Sequence, residues 1–132
     1  MQVEDIKRVA VVGMGIMGPD IALACAFRGY GVAALDTQQT SLERARKRLE
    51  ANIRFGLEQG IIDREKGEDV TSRIHFTLDW EEAMEQAQYV TEAVPENLDI
   101  KRDVFRRCGE LCSKEVVVAS NTSSMSIDEI AA

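Results

Sequence analysis

The stretch Val9-Ala-Val-Val-Gly13-Met-Gly15-Ile-Met-Gly18 constrains this chain more than any other. Its first four residues are apolar with no polar alternation, the pattern of a strand buried on both faces. Three glycines follow at spacings of two and three, and an apolar helical pattern then runs through Ile21, Ala24 and Cys25. Strand, glycine turn and helix in that order are the context in which G-x-G-x-x-G points to a dinucleotide. Gly13 permits the tight turn, Gly15 lets the backbone approach a pyrophosphate, and Gly18 lets the helix pack closely on the strand. The helix N-terminus then aims N–H groups and the positive end of its dipole at phosphate.

The next strand, predicted over 32–36, ends in Asp36, 18 positions after Gly18. That is close to the separation of roughly 20 residues expected of the acid that holds a ribose. A carboxylate there accepts from both ribose hydroxyls and repels a 2′-phosphate. Thr37, Gln38 and Gln39 follow, with no Arg to receive that phosphate. The pattern therefore favours NAD over NADP, the plainer alternative being an acidic cap in a strand-to-helix loop.

Along the chain, strand 1 is expected at about 7–12, a helix at 16–28 and a left-handed stop at Gly29-Tyr30-Gly31. Thr40-Ser-Leu-Glu43 reads as a capping box opening a long helix with the stripe Leu42, Ala45, Leu49, Ile53 and Leu57, ended by Gly60. Residues 61–72 read as a short helix or turn. A third strand is expected over 73–78, a short helix over 79–87 capped by Asp79, and a fourth strand over 89–94 stopped by Pro95. A helix over 98–112 should bury Leu98, Phe105, Cys108 and Leu111, and a fifth strand should cover 115–119. Alternation of this kind gives an α/β fold with a doubly wound parallel sheet and right-handed crossovers. Ser126-Ile-Asp-Glu129 is a further capping box with barely one turn after it, so the natural protein is expected to continue.

At 132 residues the chain has the length of one domain with a real core. A net charge of −7 and a pI near 4.8 argue against nucleic acid or an acidic membrane as partner. No run approaches a membrane span, and the N-terminus lacks a secretory pattern. Cys25, Cys108 and Cys112 are odd in number and lack C-x-x-C spacing. Disulfides and zinc are therefore not expected, and neither is any other metal. Cys108 and Cys112 should be buried thiols acting as small hydrophobes. The compartment reads as reducing, most simply cytoplasmic.

Two further stretches fall at the carboxyl ends of strands, where a doubly wound sheet takes its ligand. They are Glu92-Ala-Val-Pro-Glu96-Asn97-Leu-Asp-Ile-Lys101 and Ser120-Asn121-Thr122-Ser123-Ser124. Polar side chains there can hydrogen-bond a nicotinamide, its ribose or a substrate carbonyl, although ordinary loop and cap chemistry explains the bare pattern equally well. With the glycine turn and Asp36, these stretches make essentially the whole chain resemble the NAD-binding domain of the L-3-hydroxyacyl-CoA dehydrogenase family, a Rossmann-type fold. The resemblance implies cofactor contacts from Gly13, Gly15, Ile16, Met17, Gly18, Asp36, Ala93, Val94, Glu96, Lys101 and Asn121. Glu96 and Lys101 would flank the nicotinamide end. Ser123 would meet the substrate's 3-oxygen or the nicotinamide, with Asn121 in the same catalytic loop.

The resemblance further implies NAD-dependent oxidation of a 3-hydroxyacyl-CoA, as in fatty acid β-oxidation. The catalytic His, its Glu partner and a helical domain that makes a homodimer would lie beyond these residues. His75 sits in strand 3, outside the motif, and is not a catalytic candidate. A dehydrogenase of a non-CoA hydroxy acid, of the gulonate or carnitine type, and a crystallin-like NAD-binding module are the alternatives. The chain departs from the family at Pro19-Asp20, where a small residue and Gly are usual. Asp20 is expected to bring a negative charge near the pyrophosphate. The basic residues of the long helix, Arg44, Arg46, Lys47, Arg48 and Arg54, read as a solvated face.

Overall fold

A computed structural model describes residues 3–120. The strands are β1 (Arg8–Val12), β2 (Gly31–Leu35), β3 (Ile74–Thr77), β4 (Tyr89–Glu92) and β5 (Val117–Ser120). They form one parallel sheet in the order β3-β2-β1-β4-β5. The helices are α1 (Gly18–Phe27), α2 (Gln39–Glu58), α3 (Arg64–Arg73), α4 (Trp80–Glu85) and α5 (Leu98–Leu111). The order reverses between β1 and β4, and this switch point is where such a sheet opens a crevice at its carboxyl edge.

Both faces of the sheet are covered, as the run Val9 to Val12 requires. Val9 and Val11 join Ala22, Ala26, Leu42 and Leu49 in a core under α1 and α2, to which α3 adds Val70. Ala10 and Val12 join Ala83, Met84, Val104 and Cys108 under α4 and α5 on the other face. Residues 61–72, read as a short helix or turn, hold all but the last residue of the ten-residue α3, which takes Arg73 from the expected third strand and is capped by Asp63 accepting from the Lys66 N–H at 2.8 Å. It packs close to α2, since a Cβ at Gly67 would stand 3.2 Å from Ile53 Cγ2.

Three local expectations are corrected. The capping box at Thr40 does not form, because α2 begins a residue earlier at Gln39 with no side-chain cap. Asp36 Oδ1 instead takes the Gln38 N–H at 2.9 Å, and Thr40 is already inside the first turn. The buried face of α5 is Lys101, Val104 and Cys108, with Leu98 and Phe105 only partly covered and Leu111 exposed. Lys101 satisfies its charge internally, so the helix rotates around a buried cation that a hydrophobic pattern cannot register. The α2 stripe fades toward its end in the same way: Leu42, Ala45 and Leu49 are buried, whereas Leu57 is exposed.

Candidate functional site

The glycine turn lies where β1 meets the end of β4. Gly13 has φ +102°, and a Cβ there would stand 2.8 Å from the carbonyl carbon and oxygen of Ala93. An added Cβ on Gly18 would overlap the Gly13 carbonyl oxygen at 1.7 Å, so α1 starts directly against the turn. Gly15 differs, with open space where its Cβ would be. The N–H of Gly13 is held by the Leu35 carbonyl at 2.7 Å and that of Met14 by Asp36 Oδ2 at 2.8 Å. No hydrogen bond among the described residues takes the N–H of Gly15, Ile16 or Met17, and no side chain caps α1. Ile16 is 79% exposed. The result is an anchored turn whose outer half presents unspent donors at a helix N-terminus, the geometry that takes a phosphate.

Asp36 stands just past β2, partly buried, with one oxygen on the turn and the other on the start of α2. A carboxylate offers about four lone-pair positions, so two remain for ribose hydroxyls. Asp20 does not bring the uncompensated charge expected of it. Arg48, twenty-eight residues on, donates to Asp20 Oδ2 at 2.8 Å and to the Ile16 carbonyl at 3.4 Å. Arg48 therefore balances Asp20 and ties α2 to the turn; it is not only part of a solvated face. At roughly half exposure the pair is worth little to stability.

Across the crevice, a closed polar network joins β4, β5 and α5. Glu92 and Lys101 are both fully buried, and Lys101 Nζ donates to Glu92 Oε2 at 2.7 Å. Glu92 Oε2 also accepts the Val94 N–H at 2.8 Å, and Oε1 accepts from Ser120 Oγ at 2.5 Å. Glu92 and Ser120 are ladder neighbours of β4 and β5, so one carboxylate ties together the two strand ends. Lys101 Nζ reaches Glu96 Oε1 at 3.1 Å and the Val94 carbonyl at 3.4 Å. Glu96 is 44% exposed, so it rests on the buried ammonium with its carboxyl in reach of the crevice. Asn97 caps α5 by accepting from the Ile100 N–H. Glu92 and Ser120 open the two stretches read as lining the ligand edge, but no individual role was assigned to either; the signal available was an acid in a strand otherwise fit for burial.

The structure thus brings the turn residues Gly13 to Gly18, Asp36, Ala93, Val94, Glu96 and Lys101 to the carboxyl edge of the sheet. Asn121 and Ser123 lie outside the described residues, as does the final capping box. His75 is on the outer strand β3, exposed and paired with Glu82, three strands away from β4. A groove of about 770 Å³ lined by Arg8, Gly31, Arg73 and His75 opens at the amino ends of the strands, away from the turn. A cleft of about 370 Å³, with Gln39, Arg46 and Leu78 in its wall, adjoins the end of β3. Among the described residues no three His, Cys, Asp or Glu side chains converge as a metal site, and no helix is long and apolar enough to cross a membrane. Burial pushes the Cys108 thiol up to about 12, with Cys112 adding to it.

A doubly wound sheet with an uncapped glycine turn at its switch point and an acid closing β2 defines a dinucleotide-binding domain of the Rossmann type. Residues 8–132 match the family model described as 3-hydroxyacyl-CoA dehydrogenase, NAD binding domain. The chain belongs to that family. A probable 3-hydroxybutyryl-CoA dehydrogenase of Bacillus subtilis is 36% identical over 97% of this chain and 44% of its own length. The 5-formyl-3-hydroxy-2-methylpyridine 4-carboxylate 5-dehydrogenase of Mesorhizobium japonicum is 35% identical over 96% of this chain and 40% of its own length. The crystal structure of 3-hydroxybutyryl-CoA dehydrogenase from Escherichia coli superposes with a TM-score of 0.92 at 32% identity, covering 96% of this chain and 27% of that one. The chain spans less than half the length of each.

Proposed function

We propose that this chain is the cofactor half of an enzyme that oxidises a 3-hydroxyacyl-CoA to the 3-ketoacyl-CoA. When bound, NAD supplies the hydride acceptor at its nicotinamide ring. The observation that carries the reading is the anchored turn with unspent outer donors, packed on the Ala93–Val94 backbone just before Glu96 and its buried lysine. The N–H groups of Gly15 to Gly18 hold the pyrophosphate, Asp36 holds the adenosine ribose, and the cleft with Gln39, Arg46 and Leu78 receives the base beyond it. Ala93 and Val94 form the floor between the two halves of the dinucleotide. Glu96, fixed from beneath by Lys101, stands at the nicotinamide end. Ser123 and Asn121 follow Ser120 and would address the substrate's 3-oxygen. With His75 tied to Glu82 at the far edge, the base that takes the hydroxyl proton comes from elsewhere in the protein.

Two results are expected. Because Asp36 repels a 2′-phosphate, NADH should bind at least tenfold more tightly than NADPH, about 1.4 kcal/mol. Fluorescence titration of both decides this, and equal affinity removes Asp36 from the ribose. An intact protein carrying this domain should reduce acetoacetyl-CoA with NADH, whereas these 132 residues alone should bind NADH without turnover. General acid–base help alone is typically worth about 10² to 10⁴ in rate. Turnover by the isolated chain at the rate of the intact enzyme would place the base within it.

A further inference from the structure

On the face of the sheet covered by α4 and α5, three sulfur atoms meet. Cys112 Sγ lies 3.6 Å from Met84 Sδ. Cys108, one helical turn before Cys112 on the same helix, is buried with Met84 in the core against which Cys112 packs. Met84 precedes β4 and Cys112 precedes β5, which places the cluster at the amino ends of the strands, away from the glycine turn. Cys108 and Met84 are buried, while Cys112 is partly exposed and leaves a way in.

A second observation points the same way. Trp80, one turn before Met84 on α4, packs against the apolar core that holds Met84 and Cys108, and its buried indole N–H has no partner among the described residues. Buried donors are nearly always satisfied, so an orphan demands an explanation. The Arg107 guanidinium, beside Cys108 in the sequence, stands 5.1 Å over the Trp80 ring and puts positive charge next to the same pocket.

We propose that Cys108, Cys112 and Met84 form a three-sulfur site for a soft monovalent cation of the copper(I) class. Thiolate and thioether sulfur select such ions, while hard cations want oxygen. Zinc in a closed protein site takes four ligands, and among the described residues no His or carboxylate joins these three. With metal–sulfur bonds near ~2.3 Å, a trigonal site spaces its sulfurs about 4 Å apart. The Cys112–Met84 pair needs to open by only a few tenths of an ångström. Binding releases the two thiol protons to solvent and changes no oxidation state. Two thiolates with one monovalent cation leave a single negative charge, in a pocket beside the Arg107 guanidinium, which also pairs with Asp103 at 3.0 Å.

The test uses the whole chain, reduced and kept free of oxygen, with copper(I) supplied from a coloured chelator that competes for it. Trp80 is the only tryptophan, so its fluorescence reports on the pocket directly. One equivalent should bind and quench Trp80. Cys25→Ser should retain this, Met84→Leu should weaken it about tenfold, and Cys108→Ser or Cys112→Ser should weaken it at least a hundredfold. Uptake no tighter than in Cys108→Ser, or an unquenched Trp80 at one equivalent, overturns the site. Should the serine variants not fold, X-ray absorption of the copper-loaded wild type decides. Three sulfur neighbours are expected, and fewer, or a nitrogen or oxygen ligand, overturns the proposal.

Discussion

Gly18→Ala should leave little folded protein, whereas Gly15→Ala should fold normally and bind NADH poorly. The contrast follows from what each new methyl group meets. At Gly18 it lands 1.7 Å from the Gly13 carbonyl oxygen, a backbone atom held in place by the turn. Either α1 lifts off the sheet or the turn opens, and overpacking of this severity costs about 3 kcal/mol or more. Gly13→Ala adds left-handed strain of about 1–2 kcal/mol to a clash with the Ala93 backbone and should behave alike. At Gly15 the new methyl group meets nothing within 4 Å, and the backbone is not left-handed. It occupies only the space through which a pyrophosphate must approach, so affinity should fall at least tenfold, about 1.4 kcal/mol. Denaturant midpoints and NADH titrations on the variants check both halves. A Gly18→Ala protein as stable as the parent contradicts the packing, and a Gly15→Ala protein of undiminished affinity moves the pyrophosphate off the turn.

These glycines were legible in the sequence because their reasons are local: a turn, a strand and a helix within ten residues. Asp36 was legible for a related reason, since chain length between two strand ends of one βαβ unit is nearly fixed. What stayed hidden are partners brought together only by the fold. Asp20 looked like a charge near a phosphate because Arg48 lies twenty-eight residues away, on a helix whose orientation no periodicity gives. Thr40 looked like a cap because its spacing to Glu43 is right, yet Asp36 had already used the Gln38 N–H and moved the helix start. Met84 and Cys112 carry no shared motif and meet only when α4 packs on α5. The α5 face was misjudged at Leu98, Phe105 and Leu111, because apolar periodicity does not register Lys101, whose charge is met by Glu92 nine positions earlier.

That lysine carries the other large expectation. Lys101→Met should destabilise the domain by about 3–5 kcal/mol, the range found when one partner of a buried ion pair is removed. The pair itself adds little net stability, because its attraction roughly offsets the desolvation of both charges. What costs is the carboxylate left behind: Glu92 is fully buried and would keep only the Val94 N–H and Ser120 hydroxyl. Glu92→Gln should cost less, since Glu96 at 3.1 Å remains to balance Lys101. The double variant Lys101→Met, Glu92→Gln leaves neither charge and should recover most of the loss, giving a coupling of up to about 3 kcal/mol. Urea denaturation of the four proteins closes the cycle. The same lysine fixes Glu96, so NADH affinity supplies an independent reading. In the double variant stability should return while NADH binding stays weak, because the ammonium under Glu96 is still missing. If stability and binding recover together, Lys101 serves only the core. If the two single losses simply add, Glu92 and Lys101 are not coupled and the network at the end of β4 is not what holds the crevice.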